Sequence, residues 1–141
     1  MDLRTAARAL GAYLDSDIPA MLWGAPGIGK SDVVAQVARD HGLPMIDLRV
    51  TLLDPVDLRG LPYVDSTGLA SWARPVFLPD AARDGAEGVL FLDELNAAPA
   101  STQAACFQLI LNRRLGEYRL PSGWRIVAAG NRQSDRAAAQ R

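Results

Sequence analysis

The sequence predicts an α/β fold, a three-layer α/β/α arrangement around a mainly parallel sheet, and three observations predict it. Short apolar runs alternate with stretches of helical periodicity along most of the chain, the pattern of strands joined by helical crossovers. One run, residues 88–93, is too continuously apolar to leave a sheet face in water, as in strands covered on both sides. A glycine-rich segment separates the first apolar run from the helical stretch that follows it.

Each element has its own justification. A leading helix is expected over residues 3–14, where Leu3, Ala6, Ala7, Leu10 and Leu14 share one face before Asp15-Ser16-Asp17 breaks the pattern. Ala20-Met21-Leu22-Trp23 suits a short buried strand. After the glycine-rich segment, Val33, Val34, Val37 and Ala38 recur at helical spacing, and the helix is expected to end at His41 with Gly42 as its cap. Residues 45–50 read as a second strand, residues 88–93 as a third and residues 124–129 as a fourth, the last entered through the turn Pro121-Ser122-Gly123. Between the third and fourth, Pro99 opens a helix expected to reach Arg114. No repeat, linker or low-complexity tract interrupts this order.

Composition bounds the reading. At 141 residues and 49% hydrophobic, the chain is expected to form one domain, 1–141, with a true core. With 15 basic and 16 acidic residues the net charge is -1, so no global field calls for nucleic acid or a membrane. Cys106 has no partner for an internal disulfide, nothing at the N-terminus reads as a signal peptide, and no apolar run reaches membrane-spanning length. A soluble cytoplasmic protein is the expectation. The charge is nevertheless uneven: Arg113, Arg114, Arg119, Arg125, Arg132, Arg136 and Arg141 face only Glu117 and Asp135 in the last segment. A solvated face and a contact with a subunit or nucleic acid both remain open there.

The only lysine, Lys30, stands in Gly24-Ala25-Pro26-Gly27-Ile28-Gly29-Lys30-Ser31, a complete match to G-x-x-x-x-G-K-[ST]. Glycines let backbone N–H groups wrap closely around phosphate oxygens at a helix N-terminus. In that role Lys30 reaches the β and γ phosphates as a compact point charge, and the Ser31 hydroxyl takes one position on Mg²⁺. Asp32 completes the candidate nucleotide-binding set. Strand, loop and helix follow in the order this chemistry requires. A glycine- and proline-rich surface turn is the bland alternative.

A second motif ends the third strand: Val89-Leu90-Phe91-Leu92 and then Asp93-Glu94. Ligands of parallel sheets gather at the carboxyl ends of strands, so Asp93 is the candidate magnesium ligand and Glu94 the candidate general base that activates water. An acidic pair after a strand otherwise reads as a charge pair at a helix start. A third element is Asn131, just past the fourth strand, which alone would read as a turn asparagine.

With Walker A at residues 24–31, Walker B at Asp93-Glu94 and an asparagine ending the next strand, the chain resembles the AAA+ ATPases, a P-loop NTPase family. The resemblance implies that Asn131 is sensor 1, contacting the γ phosphate and the attacking water, that ATP and Mg²⁺ are the cofactors, and that Glu94, Asn131 and Lys30 carry catalysis. Within the family the chain is most similar to the MoxR-like branch, which carries an insertion interrupting the second helix. Here Asp57-Leu58-Arg59-Gly60 precedes two short expected strands around Asp65-Ser66-Thr67-Gly68. Where the branch has Asp-Glu-hydrophobic-Asn-Arg-Ala, this chain reads Asp93-Glu94-Leu95-Asn96-Ala97-Ala98, with Ala97 in the arginine's place. Residues 115–125 resemble the hairpin preceding sensor 1.

The family follows sensor 1 with an arginine finger, a fifth strand and a helical lid, whereas this chain ends at Arg141. The expectation is a nucleotide-binding core without those parts, in which Arg132, Arg136 and Arg141 are the available arginines. Because such a finger acts in trans and contributes orders of magnitude to turnover, the chain alone is expected to bind Mg-ATP and hydrolyse it weakly or not at all. The resemblance implies an ATPase in a homo-oligomeric ring, a hexamer by family analogy, remodelling or maturing a protein client in a chaperone-like role. The client by analogy is a von Willebrand A-domain protein. A nucleic-acid-associated motor and a nucleotide-gated assembly module without turnover are the alternatives. His41 reads as a helix-end side chain, Cys106 as helix packing, and Trp72 and Trp124 as either packed or partner-facing aromatics.

Overall fold

The computed structural model describes residues 3–16, 18–24, 29–53, 62–64, 66–72 and 77–131, with the backbone alone at 3, 62, 63, 71 and 72. Four parallel strands form the central sheet: β1 (Ala20–Trp23), β2 (Met45–Arg49), β5 (Glu87–Asp93) and β8 (Gly123–Gly130), in the spatial order β1-β8-β5-β2. The register runs Ala20↔Val127 to Trp23↔Gly130 on one side of β8 and Glu87↔Gly123 to Leu92↔Ala128 on the other. β2 joins β5 from Met45↔Val89 to Arg49↔Asp93. All four carboxyl ends therefore lie along one edge, and that edge carries the site.

The sheet is covered on both faces, as expected. Helices α1 (Leu3–Ser16) and α2 (Lys30–Asp40) pack Leu10, Leu14, Val34, Val37 and Ala38 against Val89, Phe91, Val127 and Ala129. On the opposite face α4 (Ala100–Asn112) sets Ala105, Cys106 and Leu109 against Leu90, Leu92, Ile126 and Ala128. Successive residues of β5 and β8 thus feed alternate cores, so the side-chain period of two leaves no polar stripe in the sequence. Complete burial raises the Cys106 thiol to about 11 and confirms its reading as a packing residue.

The boundaries move for local reasons. α1 runs through to Ser16, whose hydroxyl donates to Tyr13 O at 3.1 Å. β2 stops at Arg49 because residues Val50–Leu52 turn into a short 3₁₀ helix. α4 ends at Asn112, since Arg113 takes a left-handed conformation (φ 57°) and its guanidinium donates to Pro121 O and Trp124 O. α2 ends as read: Gly42 (φ +68°) follows His41, and Leu43 N–H donates back to Ala38 O at 2.8 Å. The His41 ring also reaches α1, Nε2 standing 3.6 Å from Asp15 Oδ1.

Two antiparallel hairpins flank the sheet. β3 (Pro62–Val64) pairs with β4 (Ala70–Trp72), matching the two short strands expected of the insertion. β6 (Arg114–Leu115) pairs with β7 (Tyr118–Arg119) just before β8. A one-turn helix not foreseen from the sequence, α3 (Ala81–Asp84), is capped by Asp80, whose side chain accepts from Ala82 N and Arg83 N. Segment 57–60, Leu61, Asp65, Arg132, Arg136, Arg141 and the side chain of Trp72 lie outside the described residues. Among the described residues no helix is long and apolar enough to cross a membrane.

Trp124 is fully buried, so it packs inside and faces no partner. Its indole donates to Gly85 O at 2.9 Å while the ring covers β5 at Gly88, where an added Cβ would stand 2.5 Å from ring carbon Cη2. Gly88→Ala forces this large ring to move within a packed core. The substitution is expected to cost about 1–3 kcal/mol, measured as a lowered urea midpoint at unchanged m-value.

Candidate functional site

The site begins where β1 ends. Gly24, buried, donates its N–H to Gly130 O at 3.2 Å and so continues the β1–β8 pairing by one step. Ala25, Pro26, Gly27 and Ile28 lie outside the described residues, and Gly29 re-enters with φ 86°, ψ 27° immediately before α2. That left-handed conformation suits glycine. Val33 N–H donates to Gly29 O at 3.0 Å, closing the first helical turn. Lys30 and Ser31 open the helix partly buried, and Asp32 follows with an exposed carboxylate in the first turn, where the helix dipole favours negative charge.

Lys30 ties three distant stretches together. Its Nζ donates to Gly24 O at 2.8 Å and to Asn131 Oδ1 at 3.0 Å. Asn131 was read from sequence as the residue ending the fourth strand, and the structure sets it against the phosphate-loop lysine, 101 positions away in the chain.

The acidic pair occupies the neighbouring strand end. Asp93 is the last residue of β5, and its Oδ1 accepts from Glu94 N–H at 2.9 Å. Glu94 is one of two non-glycine residues with positive φ among those described (φ 58°, ψ 36°), a conformation costing on the order of 1–3 kcal/mol. Its Oε2 accepts from the Thr51 hydroxyl at 2.9 Å and lies 3.8 Å from Arg49 Nε. The carboxylate is therefore held toward the end of β2. Asp47, also on β2, has its carboxyl raised above the usual aspartate value, first by desolvation and then by the negative charge of Asp93, with Arg49 opposing.

Sequence reasoning missed Thr51 and Arg49, which carry no motif and reach Glu94 only through the β2–β5 register. It quoted Asn96 as part of a signature without giving it a role. In the structure Asn96 Oδ1 accepts from Asn131 N–H at 3.0 Å, and its Nδ2 donates to Asn131 O.

Ser31 and Asp93, both oxygen donors of the type magnesium prefers, begin α2 and end β5, two elements packed on one another. Asp47 is raised by desolvation and then by the negative charge of Asp93, so a cation at this edge would be favoured by both carboxylates. The residues present therefore suit the group that the phosphate-loop pattern implies.

The family model described as "ATPase family associated with various cellular activities (AAA)" matches residues 20–140. No curated protein matches the chain. Among solved structures, NtrX from Brucella abortus superposes with a TM-score of 0.59 at 17% identity, over 98% of this chain and 31% of its own. The same protein was also solved with ADP and with ATP, at TM-scores of 0.59 and 0.58. A Cytophaga hutchinsonii protein assigned as an ATPase gives a TM-score of 0.62 at 23% identity, over 92% of this chain and 38% of its own. The chain thus spans about a third of the length of the solved structures it matches.

A raised folded-state pKa at Asp47 means that its charged form is disfavoured by folding. The penalty is present above the raised value and vanishes below the ordinary value of 3.8, where the carboxyl is protonated in both states. Asp47→Asn is accordingly expected to stabilise the protein at neutral pH, on the order of 0.5 kcal/mol after solvent screening. Urea denaturation at pH 7 should show this gain, and a series into acid should show it shrinking.

Proposed function

We propose a function from one premise: the chain belongs to the AAA family of ATPases, and its strand-end site binds Mg-ATP and hydrolyses it to ADP and phosphate. The observation that carries this reading is the convergence of Lys30, Gly24 and Asn131 through hydrogen bonds of 2.8 and 3.0 Å, beside the Asp93–Glu94 turn. NtrX, solved with ADP and with ATP, supports an adenine nucleotide as the ligand.

The roles follow from charge and reach. Lys30, held by a carbonyl and a carboxamide oxygen, exchanges those partners for β and γ phosphate oxygens without moving its helix. Gly29 and the start of α2 offer backbone N–H groups to the anion. Ser31 and Asp93 would hold magnesium, which would supply positive charge to neutralise the phosphates. Asn131 turns its carboxamide from Lys30 to the γ phosphate and the attacking water. Glu94 takes the proton from that water as its oxygen bonds to the γ phosphorus and the β–γ bridging bond breaks. Glu94 Oε2 accepts from the Thr51 hydroxyl at 2.9 Å, which orients the carboxylate while its remaining lone pairs can still take a proton.

The biological setting is an AAA ATPase core of the MoxR-like kind, working in a homo-oligomeric ring, a hexamer by analogy, on a protein client such as a von Willebrand A-domain protein. The hairpin of β3 and β4 and the run Asp93-Glu94-Leu95-Asn96 support that branch, while Ala97 departs from it. The arginine-rich segment offers less support for a nucleic-acid motor than its count suggests. Arg113 donates to Pro121 O and Trp124 O, and Arg125 donates to Leu14 O and Gly123 O, so both are engaged within the fold.

Calorimetric titration of Mg-ATP into the purified chain, with phosphate release recorded on the same samples, tests the reading. Binding with weak release is expected. Lys30→Ala should weaken binding at least ~10-fold, whereas Glu94→Gln should leave affinity unchanged and remove residual turnover. Equal loss of binding in both variants would contradict the assigned roles.

A further inference from the structure

Asn131 lies beyond the end of the sheet ladder, yet its backbone is fully engaged. The last pair between β5 and β8 is Leu92↔Ala128, and β5 then ends at Asp93, which is paired with Arg49 of β2 on its other side. On the β1 side Gly24 N–H still reaches Gly130 O at 3.2 Å. On the vacated β5 side the Asn96 carboxamide takes the place of a strand. Its Oδ1 accepts from Asn131 N–H at 3.0 Å and its Nδ2 donates to Asn131 O, the paired donor and acceptor of a peptide group.

The surroundings are shaped to this carboxamide. A Cβ at Gly130 would stand 2.5 Å from Asn96 Oδ1 and 2.9 Å from its Cγ, so only glycine lets the amide lie flat on the strand. Gln103 Nε2, from α4, donates to Ala98 O at 2.8 Å and to Asn96 O at 3.3 Å, fixing the turn Leu95–Ala97 that carries Asn96. The Asn131 side chain leaves this clamped backbone to meet Lys30 Nζ at 3.0 Å. Neither aspartate nor serine can replace the clamp: an ionised carboxylate has no donor and repels the Asn131 carbonyl, and a hydroxyl has one short arm.

We propose that Asn96 is a positioning residue that sets the Asn131 carboxamide for the γ phosphate and locks it to the Asp93–Glu94 turn, so that both reach the nucleotide as one body. This rests on the reading of the site as an ATPase with Asn131 at the γ phosphate. Asn96 itself touches neither nucleotide nor water. Its loss should weaken what distinguishes a triphosphate from a diphosphate and leave the shared part of the nucleotide bound as before.

The test is calorimetric titration of the full chain with Mg-ATPγS and with Mg-ADP, for the wild type, Asn131→Ala, Asn96→Asp and the double variant. Asn131→Ala should lower ATPγS affinity ~10-fold relative to ADP, the worth of one hydrogen bond to a charged group. Asn96→Asp should reproduce that selective loss, and the double variant should lose no more than Asn131→Ala alone, since the two act through one contact. A merely structural role would weaken both nucleotides alike or make the losses multiply, and either result overturns the proposal. An unchanged ratio in Asn96→Asp beside a lowered one in Asn131→Ala overturns it while sparing the functional reading. An unchanged ratio in Asn131→Ala overturns that reading of Asn131 and the positioning role with it. If Asn96→Asp fails to fold, Gln103→Ala, which removes only the anchor of the turn, must lower the same ratio by a smaller factor. No change there overturns the proposal.

Discussion

Everything at the working edge depends on the parallel pairing of β8 with both β1 and β5. Ladder hydrogen bonds on both sides fix its register, so that Gly130 stands beside Trp23 and Ala128 beside Leu92. Burial on both faces makes slippage costly, because a shift of one residue would exchange the sets Trp124, Ile126, Ala128 and Val127, Ala129 between two differently shaped cores. Since the strands share one direction, the loop after β1, the acidic turn after β5 and the asparagine after β8 emerge together.

The edge itself is organised by polar bonds rather than by packing. Each connects residues far apart in the chain: Lys30 with Asn131, Thr51 with Glu94, Asn96 with Asn131. These bonds hold charged and strained groups in place, including the left-handed Glu94, whose carboxylate accepts from Thr51. Such arrangements lower stability locally and are sustained by a well-packed scaffold. The sealed cores thus contrast with an edge held together by hydrogen bonds between side chains.

Much of the frame was legible because strands and helices announce themselves by local pattern. The continuous run Val89-Leu90-Phe91-Leu92 could only be a strand covered twice, and Gly42 marked a helix end by the conformation it permits. The phosphate loop, Asp93-Glu94 and Asn131 were legible as candidates because their chemistry needs particular residue types at strand ends. What stayed hidden depended on tertiary register. Thr51 looks like any polar residue after a strand until β2 lies beside β5, and Asn96 stands in a signature without a role of its own until β8 outruns its neighbour. The early end of β2 and the bend at Arg113 were hidden too, since backbone departures of one residue leave little trace in periodicity.

The chain's only cysteine is sealed among Leu90, Ile126 and their neighbours, with its thiol raised to about 11. Because the thiolate is the reactive form, the buried thiol is expected to react slowly with maleimides and spin-label reagents in the native protein. The fold is thus a cysteine-free background in practice, ready for a single introduced thiol on exposed positions such as Val64 in the first hairpin or Leu111 on α4. The mobility of such a label can then be followed on addition of nucleotide without first rebuilding the core.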